Sequence, residues 1–288
     1  IGLDDKRGVE AAIYVGNKQT ISSKLSTEYG IRLSSFRYIG ATTVYEYEDV
    51  EPGIRPDVVS ETEVGDGEVI EEFYNLEPRL SFRYQLNPFS SVKASYNRMA
   101  QYIHLVSNTT ASIPLDVWTP STNNIDPQVG NQFALGYFRN FGENQDYEFS
   151  VEGYFRSTQN ELDYIDGADL LLNEFIEGEV LSGDGRAYGI EFYLKKNTGK
   201  FNGWLSYTLG RSELQVEGIN KGDWYPNRFD QTHNLTLVGF YDYSDRISFS
   251  ANFTFTTGTP TTFPTSRYEV QGYTLPHNDN QARNDVRI

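Results

Sequence analysis

The sequence predicts an all-β fold, a transmembrane antiparallel up-and-down β-barrel, and three observations carry that prediction. Apolar and polar residues alternate along runs of roughly ten residues, the length a tilted strand needs to cross a bilayer, where a soluble strand commonly stops at about five or six. The 288 residues hold 21 Tyr and 18 Phe but 3 Trp and 1 Met, so aromatics reach 15% while mean hydropathy stays at -0.54 and hydrophobic residues at 38%. A wall with an aromatic lipid face and a polar lumen needs that mixture, whereas a soluble core would hold more aliphatic residues. Finally, the connections between runs alternate short and long.

Taken in order, Val9, Ala11, Ile13 and Val15 alternate with more polar positions, and Leu25, Thr27, Tyr29, Ile31 and Leu33 follow across a link at Ser22, Ser23 and Lys24. Residues 45–72 are dense in acids and read as a long loop, a solvated surface or an acidic lip that draws in cations. Leu80, Phe82 and Tyr84 open a third strand, residues 87–90 turn, and Val92, Ala94 and Tyr96 begin a fourth. After a long connection at residues 107–128, Phe133, Leu135 and Tyr137 pair across residues 142–145 with Tyr147, Phe149, Val151 and Phe155. A third long loop covers residues 160–184 and contains Leu170, Leu171 and Leu172.

Residues 185–212 state the pattern most fully. Tyr188, Ile190, Phe192 and Leu194 are apolar against Glu191, Tyr193 and Lys195; after the turn formers at 197–200, Phe201, Leu205, Tyr207 and Leu209 oppose Asn202, Ser206 and Thr208. A loop at residues 216–228 precedes Leu235, Leu237 and Tyr241, which pair across residues 243–246 with Ile247, Phe249, Phe253 and Phe255; residues 258–288 read as loop. About ten long strands result, with short turns on one side and long loops on the other, as in outer-membrane barrels.

Other classes are excluded by composition. A net charge of -16 argues against nucleic acid, which needs concentrated Lys and Arg. No cysteine is present, so neither a disulfide framework nor a thiolate metal site exists. No run of about eighteen apolar residues offers a transmembrane helix, which leaves a β-barrel open. Residue 1 is Ile and no signal-like segment leads the chain, so we expect a processed chain or a piece of a longer one.

Candidate chemistry is sparse. His104, His233 and His277 are the only histidines, and they lack the convergent spacing of a metal or catalytic set. Asp230 and His233 are the one Asp-His pair close in sequence. Glycines at 183 and 185 lack the strand-to-helix setting that cradles phosphate, and the acids of residues 61–72 do not have EF-hand spacing. No metal, cofactor or catalytic residue is therefore expected. Trp118, Trp224 and Tyr225 fall on long loops, where an aromatic stacks on a ligand or anchors at the headgroup level, and His104 lies near the outer end of a strand. These four are the candidate ligand-binding residues. Two other readings stand beside the barrel wall: a ten-stranded outer-membrane hydrolase closed on itself, and a soluble acidic carbohydrate-binding β-sandwich.

From residues 74–79, YNLEPR, the chain resembles the C-terminal barrel of TonB-dependent outer-membrane receptors, specifically the group common in Bacteroidota. The likeness continues through residues 96–120, 125–128 (IDPQ), 134–140 (ALGYFRN), 160–167 (NELDYIDG), 189–191 (GIE), 204–210 (WLSYTLG) and 227–237 (NRFDQTHNLTL). This resemblance implies that residues 1–288 are an incomplete part of a 22-stranded barrel whose lumen holds a plug. It further implies an active importer in a Gram-negative outer membrane, in contact with lipid, driven by the TonB complex through the plug. A small-molecule, peptide or glycan ligand would be captured by the loops, with room for a surface lipoprotein above them, and no covalent chemistry is performed.

Overall fold

The computed structural model describes residues 5–106, 117–170, 173–263, 266–270, 273–277 and 282–288. Ten long strands form one antiparallel sheet in chain order: β1 Arg7–Thr20, β2 Leu25–Ile39, β3 Val69–Asn87, β4 Ser90–Gln101, β5 Gln128–Phe141, β6 Tyr147–Tyr164, β7 Val180–Lys196, β8 Phe201–Gln215, β9 His233–Ser244 and β10 Ile247–Thr256. Each strand pairs with its sequence neighbours, and β1 and β10 are the two edges. The shortest is 10 residues and the longest 19, so all reach the length a tilted membrane strand requires. Every connection after an odd strand is a tight turn, and every connection after an even strand is a long loop, as the turn signals predicted.

Register converts the alternation into two faces. Leu80, Tyr96, Phe133, Phe155 and Tyr188 are direct partners across five strands, and Val92, Tyr137, Val151, Phe192, Tyr207, Leu235 and Phe255 form a second row across seven. Direct partners project to the same side, so these rows make one apolar surface. Among the described residues no second sheet covers it: Ile190 is 44% exposed, Phe253 56% and Ile13 72%. Each such side chain gains roughly 1.5–3 kcal/mol on leaving water, so a face this apolar calls for hydrocarbon. A packed β-sandwich is excluded by the same observation.

The intervening positions form the polar face. Its rows read Tyr14, Arg32 and Glu77; then Arg79, Asn97, Gln132 and Arg156; then Glu152, Glu191, Thr208 and Asn234. Arg32 donates to Glu10 at 2.8 Å and lies 3.6 Å from Glu77, tying β1, β2 and β3 together. Gly189 and Gly210 pair on this face, and a Cβ on either would come within 2.9 Å of the Tyr154 hydroxyl. Glycine there lets the Tyr154 ring lie flat across two neighbouring strands.

The loops carry more structure than their sequence announced. Residues 45–72, read as a loop, overlap a hairpin of Thr42–Tyr47 with Val58–Val64, and β3 has already begun at Val69. The hairpin's β-branched residues favour strand, but it packs on the neighbouring loop through single residues such as Tyr45 rather than through one continuous apolar face, so no apolar alternation marks it. Likewise β6 continues to Tyr164 and β7 starts at Val180, inside the stretch read as the loop 160–184. Residues 258–288 were read as loop and hold two short ladders, Pro260–Thr261 with Val286–Arg287 and Ser266–Val270 with Tyr273–His277. Leu170 is buried against Val106 and Ile176, while Leu171, Leu172 and residues 107–116 of the second long loop lie outside the described residues.

Candidate ligand-facing site on the long loops

Three loops converge over the sheet's outer end. The hairpin after β2 brings Tyr45 against the loop after β6: its hydroxyl donates to Glu174 Oε1 at 2.7 Å and its ring meets Phe175 edge-on at 5.1 Å. From the loop after β4, Asn124 Nδ2 donates to the Tyr45 carbonyl at 2.9 Å and to Glu177 Oε2 at 2.6 Å. Arg55 clamps Glu179 through Nε at 2.7 Å and Nη2 at 3.0 Å, and Lys6 pairs with Glu177. Burial and the Glu174 carboxylate push the Tyr45 hydroxyl up to about 12, so it remains a donor at neutral pH.

These contacts enclose a cavity of about 270 Å³ lined by Tyr45, Trp118, Asn123, Asn173, Glu174 and Glu177. Trp118, on the short strand Val117–Pro120, is 63% exposed at this cavity. Among the predicted residues it is the one whose ring is open to a ligand there. Trp224 is half-buried, with the Arg186 guanidinium 4.0 Å from its ring. Tyr225 is buried with Leu214, Val216 and Ile219, and its hydroxyl donates to Asp163; burial, then that carboxylate, raises its pKa.

His104 is buried on the strand Ile103–Val106, its Nε2 within 2.9 Å of Ser121 Oγ. Burial lowers its pKa from 6.5 to about 4. Between those values an unfolded imidazole binds a proton that the folded one refuses, so this contribution to stability is complete above pH 6.5 and falls as pH drops towards 4. A titration midpoint near 4 is expected for the imidazole resonance that His104→Gln removes; a midpoint near 6.5 contradicts the burial.

The Asp-His proximity does not build an active site. Asp230 accepts from the Ser212 amide at 2.5 Å and pairs with Arg287, while His233 Nδ1 meets the Tyr207 hydroxyl at 2.8 Å. Nor does the sheet close on itself as a ten-stranded hydrolase would require, since β1 and β10 stand at opposite edges. Among the described residues no group of three or more His, Asp or Glu converges to hold a metal ion. Tyr45, Glu174 and Glu177 escaped the sequence reading; the available signal was acid density, because residues 40–68 and 165–179 hold fourteen acidic side chains and one basic one.

The profile of the family described as TonB dependent receptor-like, beta-barrel, matches residues 3–285. The chain belongs to that family. It is a wall segment of a Gram-negative outer-membrane barrel, and the exposed apolar rows are its lipid face. Solved structures with the same fold include the FrpB iron transporter of Neisseria meningitidis, at 11% identity and TM-score 0.60, aligned over 90% of this chain and 34% of that one. The ferric-catecholate import receptor Fiu of Escherichia coli K12 gives 16% identity and TM-score 0.58, over 88% and 35%. The ferripyoverdine receptor of the Pseudomonas aeruginosa outer membrane, bound to ferripyoverdine, gives 12% and 0.53, over 88% and 31%. The chain thus spans about a third of the length of these receptors. Among curated proteins no sequence matches it.

Proposed function

We propose that this chain is the wall and loop segment of a TonB-driven outer-membrane importer, acting by binding and gating without covalent chemistry. The unpaired backbones of β1 and β10 would be costly in hydrocarbon, so further strands of the barrel pair with them, and a plug in the lumen couples the barrel to TonB. The observation that carries the ligand reading is the loop cavity, with Trp118 open at it beside residues 40–68 and 165–179, which hold fourteen acids and one base. That field attracts cations and repels anions before contact, and the indole face adds cation–π attraction at contact. A cationic or neutral cargo, such as a basic peptide, suits this entrance; an anionic ferric-catecholate chelate would meet a field of its own sign.

The test uses cells carrying the full-length receptor and two dye-labelled probes, tetralysine and tetraglutamate. Tetralysine is expected to bind and accumulate, with accumulation but not surface binding lost when TonB is deleted. Trp118→Ala should weaken tetralysine binding about tenfold, equivalent to ~1.4 kcal/mol. Equal capture of both probes, or accumulation unaffected by TonB loss, defeats the reading.

A further inference from the structure

A second cavity lies on the polar face at the outer ends of β4, β5 and β6, and we infer that it is a subsite for a neutral, hydroxyl-rich group such as a hexose ring. The inference relies on the importer reading for what delivers such a group, but not for the chemistry of the site. The cavity measures about 220 Å³, under the roughly 300 Å³ at which drug-sized pockets begin, so it suits a single ring-sized moiety.

His104 lines it. The side chain is 1% exposed, Nε2 is engaged with Ser121, and Nδ1 has no hydrogen-bond partner among the described residues. A buried nitrogen left in that condition is costly, and a ligand hydroxyl that reached it through a small shift of the ring would offset that cost. Held uncharged by its burial, the imidazole presents either a donor or an acceptor at Nδ1 according to tautomer, and a hydroxyl complements both.

The rest of the lining points to the same class. Gln128 and Glu161, joined at 3.3 Å, come from the inner face of β5 and β6; Asn227 Oδ1 accepts from the Phe229 amide at 3.0 Å and Asn284 Nδ2 donates to the Pro226 carbonyl at 2.9 Å, so the Asn227 amide nitrogen and the Asn284 amide oxygen supply a donor and an acceptor to the lining. The lining carries Glu161 and Asp163 against Arg228 and Arg283, so neither sign is favoured, while adjacent donors and acceptors fit vicinal hydroxyls. Phe229, 54% exposed, adds an aromatic face of the kind that packs on the C–H side of a sugar ring.

Full-length receptor in detergent would be titrated with glucose, galactose, mannose and maltose, alongside glucuronate and glucosamine, and binding read by saturation-transfer NMR. At least one neutral sugar should bind saturably and at least tenfold more tightly than either charged analogue. His104→Leu and Phe229→Ala should each weaken it about fivefold or more, whereas Trp118→Ala, in the outer cavity, should leave it unchanged. Because Phe229 is exposed, its variant separates lost binding from lost folding. No saturable neutral sugar, a charged analogue binding as well, or full affinity in Phe229→Ala overturns the subsite. Failure of TonB-dependent accumulation with sugar binding intact would instead count against the importer reading alone.

Discussion

Ile190→Arg destabilises the full-length barrel in lipid vesicles by about 2–4 kcal/mol, the cost of an arginine on the lipid face near the bilayer midplane. Ile190 sits mid-way in the apolar series of β7, opposite Leu209 on β8 and Gly153 on β6, with nothing from the protein over it. Its neighbour in sequence, Glu191, faces the other way and is paired with Thr208. Thr208→Gln should therefore leave stability within about 0.5 kcal/mol, as surface changes do. Urea unfolding in vesicles measures both. Equal midpoints for wild type and Ile190→Arg would mean that the apolar rows do not meet hydrocarbon.

The second large effect is expected above the membrane. Asp163, at the outer end of β6, accepts from Tyr225 and from Arg283 Nη1 at 2.6 Å, while Arg283 Nη2 reaches Asp166 at 2.6 Å. The Asp163 and Arg283 side chains are 8% and 10% exposed, so Asp163→Ala leaves a guanidinium and a phenol without their shared acceptor. Breaking a buried pair from one side costs about 3–5 kcal/mol. Because the network joins the loop after β8 and residues 282–288 to the wall, the loss should appear as loop opening, with β1 to β10 still folded. Hydrogen exchange would show faster exchange at residues 216–228 and 282–288 only. Unchanged protection in both segments, or unfolding of the whole sheet, contradicts this assignment.

How much of this was legible beforehand follows from where each residue sits. Inside the membrane two solvents meet each strand, so the alternation of Tyr188, Ile190, Phe192 and Leu194 is obligatory and readable. Above the membrane no lipid face imposes a two-residue period, and Thr42–Tyr47 and Val58–Val64 could pair without any alternation. Site residues were harder still. Trp118 could be named as a loop candidate because an indole on a loop is conspicuous, whereas Tyr45 and Glu174 are joined across a separation of 129 residues that only the barrel's register brings together. His104 and Tyr225 were singled out for the same loops, and burial places them beneath the surface that Trp118 occupies.

Residues 1–288 contain no cysteine, so once any cysteine elsewhere in the receptor is replaced by serine, a single Cys can be placed at each of residues 187 to 195 in turn. The most direct test labels each variant of the full-length receptor with a fluorophore and reads quenching by brominated lipid and by aqueous iodide. Labels at 188, 190, 192 and 194 should be quenched by lipid, and those at 187, 189, 191, 193 and 195 should not. Quenching without that two-residue period, or with its phase reversed, would contradict the claim that the membrane covers the apolar rows.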